Sequence, residues 1–586
     1  MDQRNLFIAL ALSLAIIVGF QYFYEIPHRE RLAREQAEKS QTTEQPAQTS
    51  QAPAAPSTST PPQPGAKGAP AIEDTAAAVS HEAALAAGPR VKIDTPRLHG
   101  SIALTGARFD DLTLADYHET TDPKSPEIKL LSPVGAPGAY FTEFGWTSTA
   151  SQKVALPEPD TVWHADRATL TPTSPVTLSW NNGQGLTFKR TISIDENYMF
   201  TITDRFENAG PAPVSLYPFG LISRWETPAT AGFYILHEGP IAVLNNQLDE
   251  PNYKDLKEDK AIKKTSGTGG WVGLTDKYWM VVLVPEKIER LEANFTYQGR
   301  NGHDKYQVDY IGTEARAVAP GESVEMHSLM FAGAKQVPLL DTYAQKYGIE
   351  KLDRAVVFRW LYFVARPLFY GLLEINKVTG NFGLAILVLT VFVKLLFFPL
   401  ANKSYRSMSR MKALQPELTK LRERYAEDKQ RMQQEMMALY KREKVNPASG
   451  CLPILVQIPV FFCLYEVLYV TIEMRHAPFF GWIKDLSAPD PTTLFNLFGL
   501  IAYQPPHYLM IGAWPLIMGV TMFLQQKLNP QPPDPIQARL FLMMPVIFTV
   551  ILASFPSGLV IYWTWNNLLS IAQQWVIMKR TKSAKR

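Results

Sequence analysis

The sequence is poor in the residues that mark chemistry. It holds two cysteines, Cys451 and Cys463, both inside one apolar stretch. Its large polar part has none, which excludes disulfide support there and leaves the redox compartment open. No aromatic residue occurs between Tyr24 and Phe109. The histidines His99, His164, His237 and His303 lie far apart, with no H-x-H, H-E-x-x-H or C-x-x-C spacing. No G-x-S-x-G occurs, and residues 267–273 (GTGGWVG) miss a dinucleotide fingerprint. What remains of an enzymatic option is a carboxylate pair formed only in space. Acids are scarce elsewhere too: Glu466 is the sole acid in the apolar stretches beyond residue 380.

What the chain does have is apolar length. Residues 6–24 (LFIALALSLAIIVGFQYFY) are long for a signal peptide. They end in the aromatic cluster Phe20, Tyr22, Phe23 and Tyr24, which suits an interfacial belt, so 1–24 reads as an uncleaved membrane anchor. Residues 25–39 are charged and 42–70 are dominated by Ala, Pro, Gln, Ser and Thr. Such composition buries too little apolar surface to offset its ordering entropy, and 25–90 reads as a disordered linker.

From 91 to 340 the pattern shifts to short alternating runs, 186–194, 198–206, 279–284 and 324–332 among them, punctuated by turns at 181–183, 195–197 and 298–302. This predicts one all-β domain of two sheets packed face to face. Residues 352–377 repeat apolar side chains at helical spacing (Trp360, Leu361, Val364, Leu368), with Arg354, Arg359 and Arg366 elsewhere, as in an amphipathic helix lying in a membrane interface. The alternative is a helix packed on the β domain.

Residues 381–401 (NFGLAILVLTVFVKLLFFPLA) are long enough to cross a bilayer, since about 20 residues span roughly 30 Å. Lys394 sits inside, one helical turn beyond Thr390. A lysine near the middle of a membrane helix costs about 2.5–3.5 kcal/mol. Residues 402–448 carry twelve Lys and Arg against six acids, a net charge of +6. Their two apolar stripes predict a helical hairpin with a methionine-rich seam, in which Met408, Met411, Met432 and Met436 are adaptable apolar contacts. Four more spans follow: 451–470, 507–528, the short 540–555, and 559–578. Basic residues stay on the cytoplasmic side, so the hairpin, the 529–539 loop and the 579–586 tail read as cytoplasmic, with the β domain and the 471–506 loop outside. Arg29, Arg31 and Arg34 do not fit this locally.

Polar residues recur at helical spacing in these spans: Trp563, Asn566 or Asn567, Ser570, and Gln573 or Gln574 in the last, Thr521 and Gln525 in the fourth, Gln457 in the third. Polar groups facing lipid are expensive, so these should converge on a bundle interior. In upright helices Lys394 would lie about 18 Å deep and Glu466 about 6 Å deep, which argues against their pairing. Lys394 is thus expected in a water-accessible cavity.

At this level of detail a family is recognisable. The strings FVKLLFFPLANKSYRSMSRMKALQPEL, KQRMQQEMMALYKREKVNPASGCLPILVQIPVFFCLY, LMMPVIFTV and FPSGLVIYWTWNNLLSIAQQ resemble the YidC family of membrane protein insertases, in its six-span form from Gram-negative bacteria. The likeness over the β domain is weaker and rests on position, size and GGWVGL at 269–274. The resemblance implies a multidomain inner-membrane protein: an anchor helix, a periplasmic β-supersandwich like sugar mutarotases, a cytoplasmic hairpin, and a polytopic α-helical core of five spans forming a hydrophilic groove. It implies an insertase and chaperone, not an enzyme, without cofactor or metal. Implied partners are nascent membrane proteins, the Sec translocon and its accessory subunits, a ribosome or targeting receptor at the basic hairpin and tail, and membrane lipids, with no nucleic-acid specificity. The family's groove cation, commonly Arg, matches Lys394, and Lys offers no bidentate fork. Trp563 falls where the family often has an aromatic residue against the incoming segment. A solute transporter or channel would show inverted repeats, which are not evident. A membrane-anchored periplasmic carbohydrate-active protein would need one anchor and leave five further spans unexplained.

Overall fold

The computed structural model describes residues 79–149, 152, 154–230, 236–259, 263–287, 290–300, 303–356, 362–443, 445, 452–501, 503, 505–506, 510–529 and 535–583. The anchor at 1–24, the linker up to 78 and the last tail residues lie outside these, as does Cys451.

The N-terminal part forms one eleven-stranded and one nine-stranded sheet, almost wholly antiparallel. The local cause is visible in Leu186–Ile194, where every second side chain is buried. That strand pairs with Met199–Asn208 through a tight turn, and Asp195 accepts from the N–H groups of Asn197 (2.9 Å) and Met199 (3.1 Å) to fix it. Met199–Asn208 pairs in turn with Ser323–Ala334, and that strand with Trp279–Val284. Trp279–Val284 is buried on both faces beyond its first residue, which is why it reads as a continuous apolar run. The two sheets meet face to face: Phe109 of one lies edge-on to Phe200 of the other, with ring centres 5.5 Å apart. Arg190 is buried between them in a two-pronged pair with Asp204 (2.7 and 3.1 Å) and donates across the gap to the Phe144 carbonyl at 2.7 Å. The predicted turn at 298–302 falls between paired strands Arg290–Arg300 and His303–Gly312, and its residues 301–302 lie outside the described set. Two short helices, α1 (His81–Ala86) and α2 (Tyr253–Asp259), decorate the domain.

Among the described residues ten further helices follow. They are α3 (Val337–Tyr347), α4 (Tyr362–Thr379), α5 (Phe382–Leu396), α6 (Phe398–Ala413), α7 (Gln415–Arg424) and α8 (Lys429–Arg442), then α9 (Leu452–Val470), α10 (Ala513–Leu528), α11 (Pro535–Leu552) and α12 (Ser557–Ser583). Several predicted boundaries change. In the helix expected over 352–377, Leu352–Ala355 is a 3₁₀ turn, 357–361 lie outside the described residues, and Tyr362–Thr379 is α-helical. Arg366 of α4 pairs with Asp341 of α3 (2.5 Å) and with Asp353 (3.1 Å), so it is tied to the β-domain side even though Phe363 stays exposed. In the fourth stretch 510–512 are not helical and the helix begins at Ala513, while 540–552 belong to an 18-residue helix and 553–555 lie beyond its end. The 16 residues of α10 reach about 24 Å, short for a helix that would cross a bilayer by itself.

Among the described residues no single helix is both long and apolar enough to cross a bilayer, but α5 and α6 together meet that test as a pair bent by 69°. Residues 381–401 are thus not one straight span. The cause is Pro399, which lacks the N–H of an interior helical residue and is tolerated in a first turn, so a new helix starts at Phe398.

Residues 471–478 clasp the helices to the β domain. Arg475 donates to the His118 carbonyl at 2.7 Å, with its guanidinium 5.2 Å over Trp279. Glu473 accepts from the Val337 N–H at the start of α3 (3.1 Å), while its other oxygen is enclosed without a partner. Burial pushes the Glu473 carboxyl up to about 7, against the pull of backbone N–H donors. The folded chain therefore holds this proton more tightly than the unfolded chain. Stability should fall as pH rises from about 4.5 to about 7 and stay low above it, by up to ~3 kcal/mol. Glu473→Gln keeps the acceptor and removes the charge. Thermal unfolding in detergent should show a raised Tm at pH 8 for this variant, with little difference from the parent at pH 4.5.

Candidate functional site

The site grows from the helix that carries Lys394. Asn381 caps α5 by accepting from the Leu384 N–H at 3.0 Å, and the run after it is apolar except for Thr390 until Lys394 in the last turn. A cation there gains about 0.3–1 kcal/mol from the partial negative charge of the helix C-terminus. Lys394 is half-buried, and its Nζ donates to Ser570 Oγ on α12 at 2.8 Å. Ser570 Oγ donates to its own helix at the Asn566 carbonyl, 2.8 Å away, and also pairs with Tyr405 of α6. Among the described residues no carboxylate lies within ion-pair reach of Lys394; Glu466 is buried on α9. One of three ammonium N–H donors is thus committed to a neutral hydroxyl.

The other polar positions separate into distinct pairings, all involving α12, which packs on α5, α6, α9 and α10. Gln457 of α9 donates to the Tyr562 hydroxyl. Asn567 donates to Thr521 of α10 at 3.2 Å, and Thr521 in turn donates to the Met518 carbonyl at 2.8 Å. Gln525, one turn further along α10, is half-buried. Trp563 sits between Phe461 and Phe548, with ring centres 4.6 and 5.8 Å away. Thr390 does not reach the site: it is buried and its hydroxyl donates to the Ile386 carbonyl at 2.6 Å. Asn566 Oδ1 and Gln573 Nε2 are enclosed without partners, whereas Gln574 Nε2 donates to Asn529 at 3.1 Å. Tyr405 and Tyr562 escaped sequence reasoning as site residues, while the Asn566-or-Asn567 alternative resolves to Asn567 as the one that pairs across to α10. For Tyr405 no signal existed, because only the α5–α6 bend brings it to Ser570.

The four methionines do not form one surface. Met436, with Leu418, Leu439 and Tyr440, closes the α7–α8 seam, and Met432 packs at its margin. Met408 is buried with Tyr405 against Ile577 of α12. Met411 is half-buried, and the exposed methionine of α8 is Met437.

Residues 90–371 match the family model of the YidC periplasmic domain, and 374–585 that of the 60Kd inner membrane protein. A membrane protein insertase YidC from Brucella suis biovar 1 is 53% identical over 99% of this chain and 96% of its own. One from Beijerinckia indica is 52% identical over the same shares. The chain belongs to the YidC family of membrane protein insertases. A crystal structure of an active YidC insertase with its first transmembrane domain resolved is 18% identical, covering 83% of this chain and 94% of that one, with a TM-score of 0.35. Membership makes this an insertase of the bacterial inner membrane, not an enzyme, and makes the two-sheet domain a periplasmic one.

The helix contacts differ in weight. At Gly519 of α10 an added Cβ would stand 2.1 Å from Thr549 Oγ1 on α11, so the two backbones approach as small residues allow. Gly519→Val should cost about 1–3 kcal/mol by overpacking. Asn567→Leu, which removes an interhelical hydrogen bond, should cost only about 0.6 kcal/mol. Comparing denaturation midpoints of the two variants in one detergent checks this order.

Proposed function

We propose that this membrane protein insertase receives a nascent apolar segment at its cytoplasmic hairpin and draws the segment's polar or acidic flank toward Lys394. The observation that carries this reading is the half-buried ammonium that meets a hydroxyl and no carboxylate. An incoming acid finds a cation without a rival anion. Met411, Met432 and Met437 present adaptable thioethers for first contact. Lys394, Asn566, Gln573 and Gln457 offer polar partners to the flank, and the apolar part leaves past Trp563 and the α9 face into lipid. Partition drives the step: some 20 apolar residues at roughly 0.3–0.6 kcal/mol each outweigh the roughly 2.5–3.5 kcal/mol of one buried acid. The short α10 thins the bilayer beside this path.

In this reading α5–α6 together with α9, α10, α11 and α12 make the five core spans, with α4 in the outer interface. Both termini, the hairpin and the basic tail are cytoplasmic. The hairpin and tail meet a ribosome or targeting receptor through their charge, and the Sec translocon joins laterally in the membrane. No cofactor enters the step.

Lys394→Ala should lower insertion of substrates with acidic translocated flanks by at least roughly tenfold, the lower end of what a charged hydrogen bond worth about 1.5–3 kcal/mol predicts. Lys394→Arg should insert them normally. The assay is protease protection of an in vitro translated substrate in proteoliposomes. Equal insertion by all three proteins would sink the role of the groove charge.

A further inference from the structure

We propose that the loop between α9 and α10 is an interfacial platform: residues 494–501 lie half-immersed in the outer leaflet, with lipid as their partner. This rests on α10 and α11 spanning the membrane. The sequence has no Asp, Glu, Lys or Arg between Asp490 and Lys527. Within that charge-free run the loop turns its largest side chains outward: Leu500 is 86% exposed, and Phe495, Leu497, Phe498 and Ile501 are each close to half exposed. A contiguous patch of this kind marks an interaction surface.

The outward pose is built, and it carries a cost. Leu497 and Phe498 both lie in the left-handed region, at φ 52° and 59°. For bulky residues this costs of order 1–2 kcal/mol each, a strain that persists only when the surroundings impose it. The surroundings are defined. Phe498 N–H donates to the Thr493 carbonyl at 2.9 Å, and Leu494 N–H to the Ile511 carbonyl at 2.9 Å. Beneath them buried Asp490 gathers four hydrogen bonds, from the Trp482 indole (3.1 Å), the Thr492 N–H and hydroxyl (3.0 and 2.7 Å), and the Trp514 N–H at the start of α10 (2.9 Å). Gly512 lets the backbone close over this carboxylate, since an added Cβ would stand 2.6 Å from it.

Lipid is the occupant because the patch continues an apolar surface. Thr492 Oγ1 accepts from the Ala513 N–H at 3.0 Å, which joins the loop to α10, whose outer face exposes Ile517, Val520 and Leu524. α11 beside it exposes Val546, Ile547 and Val550. A protein partner recognised in water would be expected to meet polar or charged side chains at the rim, and the run supplies no formal charge.

The test uses the full chain in liposomes, with Cys451→Ala and Cys463→Ala and single spin labels at Phe498→Cys, Leu500→Cys, Val546→Cys and Glu322→Cys. Collision rates with oxygen and with an aqueous nickel chelate are compared. The expected result is an oxygen-to-nickel ratio at 498 and 500 several-fold above that at 322 and near that at 546. A ratio at both loop positions like that at 322, with 546 lipid-like, overturns the platform and leaves the membrane reading intact. Low collision with both reagents at 498 and 500 means a second copy or another protein covers the loop, and overturns it too. Nickel access at 546 itself overturns the membrane reading, and the platform with it.

Discussion

A cation that, among the described residues, meets a neutral hydroxyl and no carboxylate sets the terms for the helical part. Where water is excluded, polar groups must be satisfied inside the protein, and each one left over costs several kcal/mol. The helix C-terminus and Ser570 return part of the cost of Lys394, and partial exposure returns more, because the site is not sealed. The bend at Phe397 makes this workable. It ends α5 just beyond Lys394 and turns the chain away by 69°, so the ammonium stands at the end of a helix and not in the wall of one.

The two ends of the helical part are held differently. At the outer end, the Ser557 hydroxyl donates to the carbonyls of Asp485 and Ala488, Asp490 ties its loop to α10, and Arg475 binds the β domain. These hydrogen-bonded contacts are partly buried, and their loop residues lie close together in sequence, between Arg475 and Asp490. At the inner end, α7 and α8 pack mainly on one another through a small cluster, while α6 touches α12 at Tyr405 and Met408. Low-stability regions are those with few buried apolar contacts, so motion is expected at the inner end. That asymmetry suits a protein that admits chain from one side and holds the other closed.

Much of this was legible in the sequence. Alternation exposed the strand Leu186–Ile194 because one face is buried and the other wet, and the same rule located its partners. Lys394 and Ser570 stood out as polar residues in apolar surroundings. The misreadings share a cause, which is that periodicity reports one helix at a time. It placed Thr390 on the groove face by its spacing from Lys394, whereas a threonine can satisfy itself on its own helix carbonyl, as Thr390 does. It placed Met408 on one stripe with Leu418, as part of the hairpin seam, although the break at Leu414 sends Met408 to α12 instead. It read 381–401 as straight because apolar residues continue past Pro399. The loop at 494–501 looked like an ordinary connection, since left-handed backbone at Leu497 and Phe498 leaves no mark in residue type.

The identity of the Lys394 partner bears on the mechanism proposed above. Had Ser570 been a carboxylate, the pair would resemble other buried ion pairs, where removing one member costs about 3–5 kcal/mol. An incoming acidic flank would then have to break that pair before gaining anything. Against a hydroxyl the exchange is close to balanced: one charge-assisted hydrogen bond is given up and a stronger one is formed. Ser570 falls back on the Asn566 carbonyl, which it already holds, and so is never left unpaired. A lysine suits this arrangement, because its three donors rotate and none depends on a fixed fork. The same helix, α12, also supplies Tyr562 to α9 and Asn567 to α10. A displacement of α12 by a passing segment would therefore be felt at all three polar contacts at once, and its return would restore the site for the next chain.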